Sequence, residues 1–118
     1  MATITPTVVY NPQGCQNSVL VTWASMANGD VGAPFIGLEY TDRTVQVSGN
    51  FGTTVTLTMQ GSNDNSNWDS LTDPQANSIA KTAQGIEAIL EAPLYIRPSA
   101  GGGSGGAINV VMVCKRNR

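Results

Sequence analysis

Apolar and polar residues alternate with a period of two along much of this chain, the pattern of strands with one face buried and the other in water. It is clearest at Thr53–Gln60, where Val55, Leu57 and Met59 point one way and Thr54, Thr56 and Thr58 the other. Arg43–Ser48 repeats it with Val45 and Val47. Thr3–Tyr10, Ser18–Trp23, Pro34–Tyr40, Trp68–Leu71 and Leu94–Ile96 are further β-prone stretches, and Ile108–Cys114 is an apolar run long enough for a buried strand. Turn chemistry separates them at Asn11–Gly14, Thr41–Asp42, Gly49–Gly52, the polar loop Gly61–Asn67, and Asp73–Pro74. Ile79–Leu90 alone hints at a helical period, but Gly85 interrupts it and Pro93 stops it, so it too reads as strand. Pro98 lacks a backbone donor and is expected to confine its strand to a sheet edge or a strand end. About eight or nine short strands at near-regular spacing, without an internal repeat, predict an all-β fold. The expected form is an antiparallel β-sandwich, jelly-roll-like, with immunoglobulin-like strand order as the alternative. Residues 1–118 make one domain, with 1–10 an N-terminal arm or strand and 115–118 a basic tail.

Composition narrows the function. A chain of 118 residues buries roughly two-thirds of its unfolded surface, enough for one core with a modest margin that oligomerisation would enlarge. There is no histidine, which removes the commonest general base and the most frequent transition-metal ligand. The net charge is −2, but Lys115, Arg116 and Arg118 crowd the last four residues, leaving three cations against eight acids in the body. Such a body is not a nucleic-acid-binding surface, and no stretch is apolar enough to span a membrane. The N-terminus has neither a basic start nor a sustained apolar segment, so the protein is expected to be made in the cytoplasm without export. Cys15 and Cys114 are too few for a disulfide framework; free thiols are expected, with a bridge between them the alternative if the first and last strands are neighbours.

Three motifs resemble chemistry. The run GGGSGG, Gly101–Gly106, matches both a dinucleotide-binding glycine pattern and a nucleophile elbow at Ser104. The residues that follow are β-forming rather than helical, however, and no histidine exists to activate Ser104, so it reads as a flexible loop. The loop Ser62–Asp73 is rich in Asp and Asn. A calcium loop starting at Asp64 would need Gly and Glu where Asp69 and Gln75 stand, so Asx turns explain it. Trp23, Tyr40, Phe51 and Tyr95 would offer a sugar-stacking platform if exposed, but core duty is the simpler reading, and Trp68 is expected to anchor its loop to the core. Arg97, in an apolar strand, calls for a carboxylate such as Asp42 or Asp64. No residue is assigned a catalytic, cofactor or metal role.

From Trp23 onward the motifs WASMANGDVGAP, TDRTVQVSGNFG, GSNDNSNWDSLTDPQ and YIRPS, followed by the glycine run, resemble a family of small structural proteins of tailed phages and prophages whose associated role is capsid decoration. The resemblance covers about four-fifths of the chain. It implies that Asp42, Arg43, Gln46, Gly49, Gly52, Trp68, Asp73, Pro74, Arg97 and Pro98 hold the fold. The chain departs from similar proteins at Asn65 and Ala76, where glycine is usual. Asn65 tolerates a left-handed backbone, whereas Ala76 suggests a turn that no longer needs positive φ. The function so implied is non-enzymatic: a homotrimer on the outer capsid surface of a virion, bound to the lattice of the major capsid protein. Candidate contact residues are Met1, Ala2, Thr3, Ile4 and Thr5, then Gly101, Gly102, Gly103 and Ser104, then Lys115, Arg116 and Arg118. Alternatives are a tail or head-completion protein and a carbohydrate-binding or adhesion module, the latter because GSNDNSNW is similar to turns of discoidin-like jelly rolls.

Overall fold

Alternation along the chain decides its layers. In the computed structural model, which describes residues 2–116, twelve strands form two sheets packed face to face. In chain order they are β1 (Thr3–Ile4), β2 (Thr7–Tyr10), β3 (Ser18–Met26), β4 (Val31–Gly32), β5 (Phe35–Ile36) and β6 (Asp42–Asn50). There follow β7 (Thr56–Ser62), β8 (Asp69–Ser70), β9 (Ala80–Lys81), β10 (Gly85–Ala88), β11 (Tyr95–Gly101) and β12 (Ala107–Lys115). One sheet runs β10-β6-β12-β3-β2; the other runs β1-β4-β11-β7-β8, with β5 beside β11 and β9 beside β7. The protein is an all-β sandwich. All pairings are antiparallel except that of β1 with β4, which is parallel, a departure from the wholly antiparallel expectation.

The core lies between the sheets. Val19, Val21, Trp23, Val45, Val47, Val110 and Met112 from the five-stranded sheet meet Leu57, Met59, Ile96 and Ala100 from the other, all buried. Each fully buried aliphatic side chain here contributes about 1.5–3 kcal/mol. Trp23 is central: its Nε1–H donates to the carbonyl of Ala33 (2.9 Å), and Gly32 leaves room for it, since a Cβ there would lie 2.6 Å from Trp23 Nε1 and 2.5 Å from Pro98 Cδ. β3 carries an extra residue opposite Ile108–Val110, with Ser25 at φ 56°. The Ser25 N–H donates to Asn109 Oδ1 (3.0 Å), which closes the bulge.

Several elements depart from the sequence pattern, each for a definable reason. Thr3–Tyr10 is two strands in different sheets, divided at Thr5–Pro6. Ile79–Leu90 is strand, as expected, but it also crosses between sheets, with β9 on β7 and β10 on β6. Pro98 is not at an edge: β11 lies inside its sheet. Its β4/β5 flank pairs with β5 at Tyr95 and Ile96 and with β4 at Ser99, so Pro98 falls in the gap where no neighbour needs its missing N–H. Ala76 does adopt a left-handed conformation (φ 66°), as does Asn65 (φ 60°). Ala76 follows the turn that its N–H closes onto the carbonyl of Asp73 (2.9 Å), and the left-handed step there lets the Asp73 N–H reach the carbonyl of Asn77 (2.9 Å).

Candidate interaction surfaces

The long strands give the molecule two ends. β12 starts at Ala107 and finishes at Lys115, so its termini are about 27 Å apart. Ala107 pairs with Asn50 and Lys115 with Asp42, which puts the 27–30, 51–55 and 102–106 loops at one end and the 37–41 and 89–94 loops at the other.

The first end collects the N-terminal strand and the glycine run. The N–H of Ala2 donates to Asp30 Oδ1 (3.0 Å), and Asp30 Oδ2 accepts from the N–H of Ala27 (2.9 Å). β1 then pairs with β4 through Thr3 and Ile4. Asn28 reaches the glycine run: its N–H donates to the carbonyl of Gly105 (2.9 Å), and its Oδ1 accepts from the N–H of Gly103 (2.9 Å). Ser104 and Thr53 exchange two backbone hydrogen bonds, 2.9 and 3.0 Å. The run is therefore a folded cap rather than a flexible loop. Gly102, Gly105 and Gly106 take positive φ, and Gly103 presses its Cα against the Thr53–Val55 backbone. Ala2, Thr3, Thr5, Gly102 and Ser104 are exposed at the cap. The residues that join the two segments, Asn28 and Asp30, escaped the sequence reading; the turn-forming Asn-Gly-Asp at 28–30 was the available signal.

Lys115 and Arg116 are at the opposite end, so the structure does not bring them to the cap. Arg116 pairs with Glu39 (3.2 Å) and lies over the ring of Tyr40. Of the remaining candidates, Met1 and Arg118 lie outside the described residues. Nearby, Arg43 is buried at the end of the core, 3% exposed, and donates from Nη1 to the carbonyl of Glu91 (2.7 Å) and from Nη2 to that of Tyr40 (2.8 Å). Burial pushes its pKa down. Its cross-strand neighbour Cys114 is buried too, and burial raises that thiol to about 11, with the Arg43 charge opposing the rise. Cys15 is exposed, and both cysteines are free.

The other chemical candidates resolve into structure. Asp64 accepts from the N–H of Asn67 (2.9 Å), the Asn67 side-chain amide (2.7 Å), the N–H of Ser66 (2.9 Å) and the Ser62 hydroxyl (2.8 Å), an Asx-turn network. Those bonds, Asn67 foremost, hold its carboxyl well below the usual range. Among the described residues no three His, Cys, Asp or Glu side chains converge as a metal site requires. Arg97 takes no carboxylate: its Nε–H donates to Gln60 Oε1 (2.9 Å), and its guanidinium stacks 4.0 Å from the ring centroid of Trp68. Trp68 is thus half-buried on the outer face of the seven-stranded sheet rather than in the core. Trp23 and Tyr40 are buried, which dismantles the aromatic platform.

The outer face of the five-stranded sheet went unread in the sequence. Register and burial place Ala88, Thr44, Val113, Leu20 and Val9 in one row across it, with Ile86, Gln46, Val111, Thr22 and Thr7 in the next. None of these ten is charged. Beside them, an open groove of about 520 Å³ is lined in part by Thr44, Ala88, Leu90 and Val113.

Compared with known proteins, the chain matches no family model and no curated protein. Its fold is similar to that of the SPBc2 prophage-derived protein YomS, whose crystal structure superposes with a TM-score of 0.60 at 11% identity, covering 83% of this chain and 95% of that one.

Proposed function

We propose that this protein is a non-enzymatic phage structural protein that binds the assembled capsid shell as a homo-oligomer and stabilises it. The observation that carries the reading is the likeness of fold, over most of both chains, to a prophage-derived protein. The motif resemblance to small phage structural proteins, from Trp23 to the glycine run, points the same way. The cap formed by Ala2–Thr5 and Gly101–Ser104 is the surface offered to the capsid lattice, because its exposed backbone is already fixed by hydrogen bonds and loses little freedom on binding.

The mechanism needs no reacting group. A protein that binds only the assembled lattice lowers the free energy of that state by RT ln(1 + [L]/Kd), about 2.7 kcal/mol per site at a hundred times Kd, and the gain accumulates over the shell. A tail or head-completion role uses the same physics at lower copy number. The carbohydrate reading loses its aromatic platform, since Trp23 and Tyr40 are buried and Arg97 covers one face of Trp68. Quantitative mass spectrometry of virions of the source phage tests the proposal. Copies in a simple ratio to the major capsid protein support shell decoration, a handful per particle moves the protein to the tail or portal, and none overturns the virion reading.

A further inference from the structure

We infer that the uncharged outer face of the five-stranded sheet is a self-association surface, on which a second copy of this chain stacks about a two-fold axis running along the seam between β6 and β12. The inference goes beyond the virion reading, since copies pair or fail to pair whether or not a shell is present.

Three observations converge. The first is apolar exposure without charge: Val9 is 43%, Ile86 64%, Leu90 57% and Val113 38% exposed, on a face whose two central rows hold only aliphatic, Thr and Gln side chains. These two rows carry no charge, so a copy of this face laid over them meets no like charge there.

The second is the charge at the margin. Asp42 and Lys115 are cross-strand partners, both exposed, at one end of the β6–β12 seam. The ion pairs among the described residues are Lys81–Glu87 and Arg116–Glu39, which use neither. Rotation about an axis along the seam sets β6 against the partner copy's β12 at the same level. Asp42 then faces Lys115 of the other copy, twice. An axis across the strands would not bring these charges together.

The third is shape. The same rotation sets β3 over β10, so Leu20 and, beyond it, Val9 of one copy approach the groove of the other, whose lining includes Ala88, Leu90, Thr44 and Val113, with Asp42, Arg43 and Lys115 at its end. Sheet-on-sheet stacking at about 10 Å is the packing this chain already uses internally. Four facing strands and three levels of side chains span about 400 Å² of projected face per copy. This is below the ~800 Å² of a standard interface, so the contact is a weak one.

The test is sedimentation equilibrium of the full chain from about 1 μM to about 1 mM, the range in which so small an interface acts. A monomer–dimer equilibrium is expected. Val113→Glu should abolish it, and Ala80→Glu, exposed on the other sheet, should leave it intact. Asp42→Lys and Lys115→Asp should each weaken it about tenfold by opposing like charges, and the double swap should restore it to within about threefold. A monomer at every concentration, a species of three copies, an association indifferent to Val113→Glu, or single reversals that the swap does not rescue would each overturn the inference. All variants alter exposed side chains, and circular dichroism verifies that each is folded.

Discussion

Replacing glycines one at a time in the Gly101–Gly106 run should produce effects of opposite sign, because the run is a folded cap. A Cβ on Gly103 would lie 2.6 Å from the Thr54 carbonyl carbon and 2.7 Å from the Val55 nitrogen, with the Thr53 carbonyl oxygen closer still. All three are backbone atoms that no rotamer change can move. Relief requires separating the strands, which endangers the Gly103–Asn28 hydrogen bond and the two between Thr53 and Ser104. At about 0.5–1.5 kcal/mol net for each, Gly103→Ala should cost about 2–4 kcal/mol. Gly105 has open space around it but φ +70°, so alanine there costs about 1 kcal/mol of left-handed strain. Gly101 has open space and no positive φ, and Gly101→Ala should stabilise by about 0.4–1 kcal/mol through the unfolded chain. Urea titration followed by tryptophan fluorescence measures all three, and Tm should move by about 4 °C per kcal/mol. Three variants within about 0.5 kcal/mol of one another would refute the folded cap, because a flexible linker responds alike at every glycine.

Ala76→Gly should stabilise the protein by about 1 kcal/mol, since it relieves the left-handed strain of an L residue at φ 66°; a loss of stability in the same titration would contradict the turn geometry. In the native protein one thiol should react with a disulfide reagent at neutral pH, that of exposed Cys15, while Cys114, buried and raised to about 11, reacts only on unfolding. Two fast thiols would place Cys114 at the surface. Asp64 has a folded-state pKa below its unfolded value, so its contribution is present above the ordinary carboxylate pKa of about 3.9 and lost as pH falls toward the folded one. The stability difference between wild type and Asp64→Asn should narrow below about pH 4, and a pH-independent difference would show that the carboxylate charge is not what holds the turn.

Much of the fold is written in local pattern, and what was misread depended on neighbours. Val45 and Val47, and Leu57 and Met59, alternate so regularly that β6 and β7 declare both their existence and their inward faces. The same argument could not see that Thr5–Pro6 carries the chain from one sheet to the other, because both halves remain extended. Pro98 was misplaced because the rule against proline in a central strand assumes continuous neighbours, and here β4 and β5 leave a gap beside it. The glycine run reads as slack because a sequence shows missing side chains and not the Thr53–Val55 backbone packed in their place, nor the Asn28 side-chain oxygen that holds Gly103. The apolar run Ile108–Cys114 reads as a buried strand. Val111 and Val113 instead point outward, onto the face from which the proposed self-association is argued, because it is the contiguous patch and not any single apolar residue that carries meaning.

The proposed two-fold contact has a geometric consequence for the proposed function. An axis parallel to the strands keeps both copies in the same vertical sense, so the caps at Ala2–Thr5 and Gly101–Ser104 point in one direction and a dimer offers two to a single surface. If each cap alone binds a lattice weakly, the second engagement is intramolecular, and avidity can exceed the single-site affinity by about 10²–10⁴ where the lattice repeat matches the spacing. Val113→Glu lies on the sheet face, toward the opposite end of β12 from the cap, and should lower occupancy on assembled shells steeply while leaving the cap unaltered. Deletion of residues 1–5 should lower occupancy without changing the sedimentation equilibrium. Cryo-electron microscopy of shells incubated with equal concentrations of each variant reads occupancy directly. Full occupancy by a monomeric Val113→Glu protein would separate the two surfaces and show that the cap holds the lattice one copy at a time.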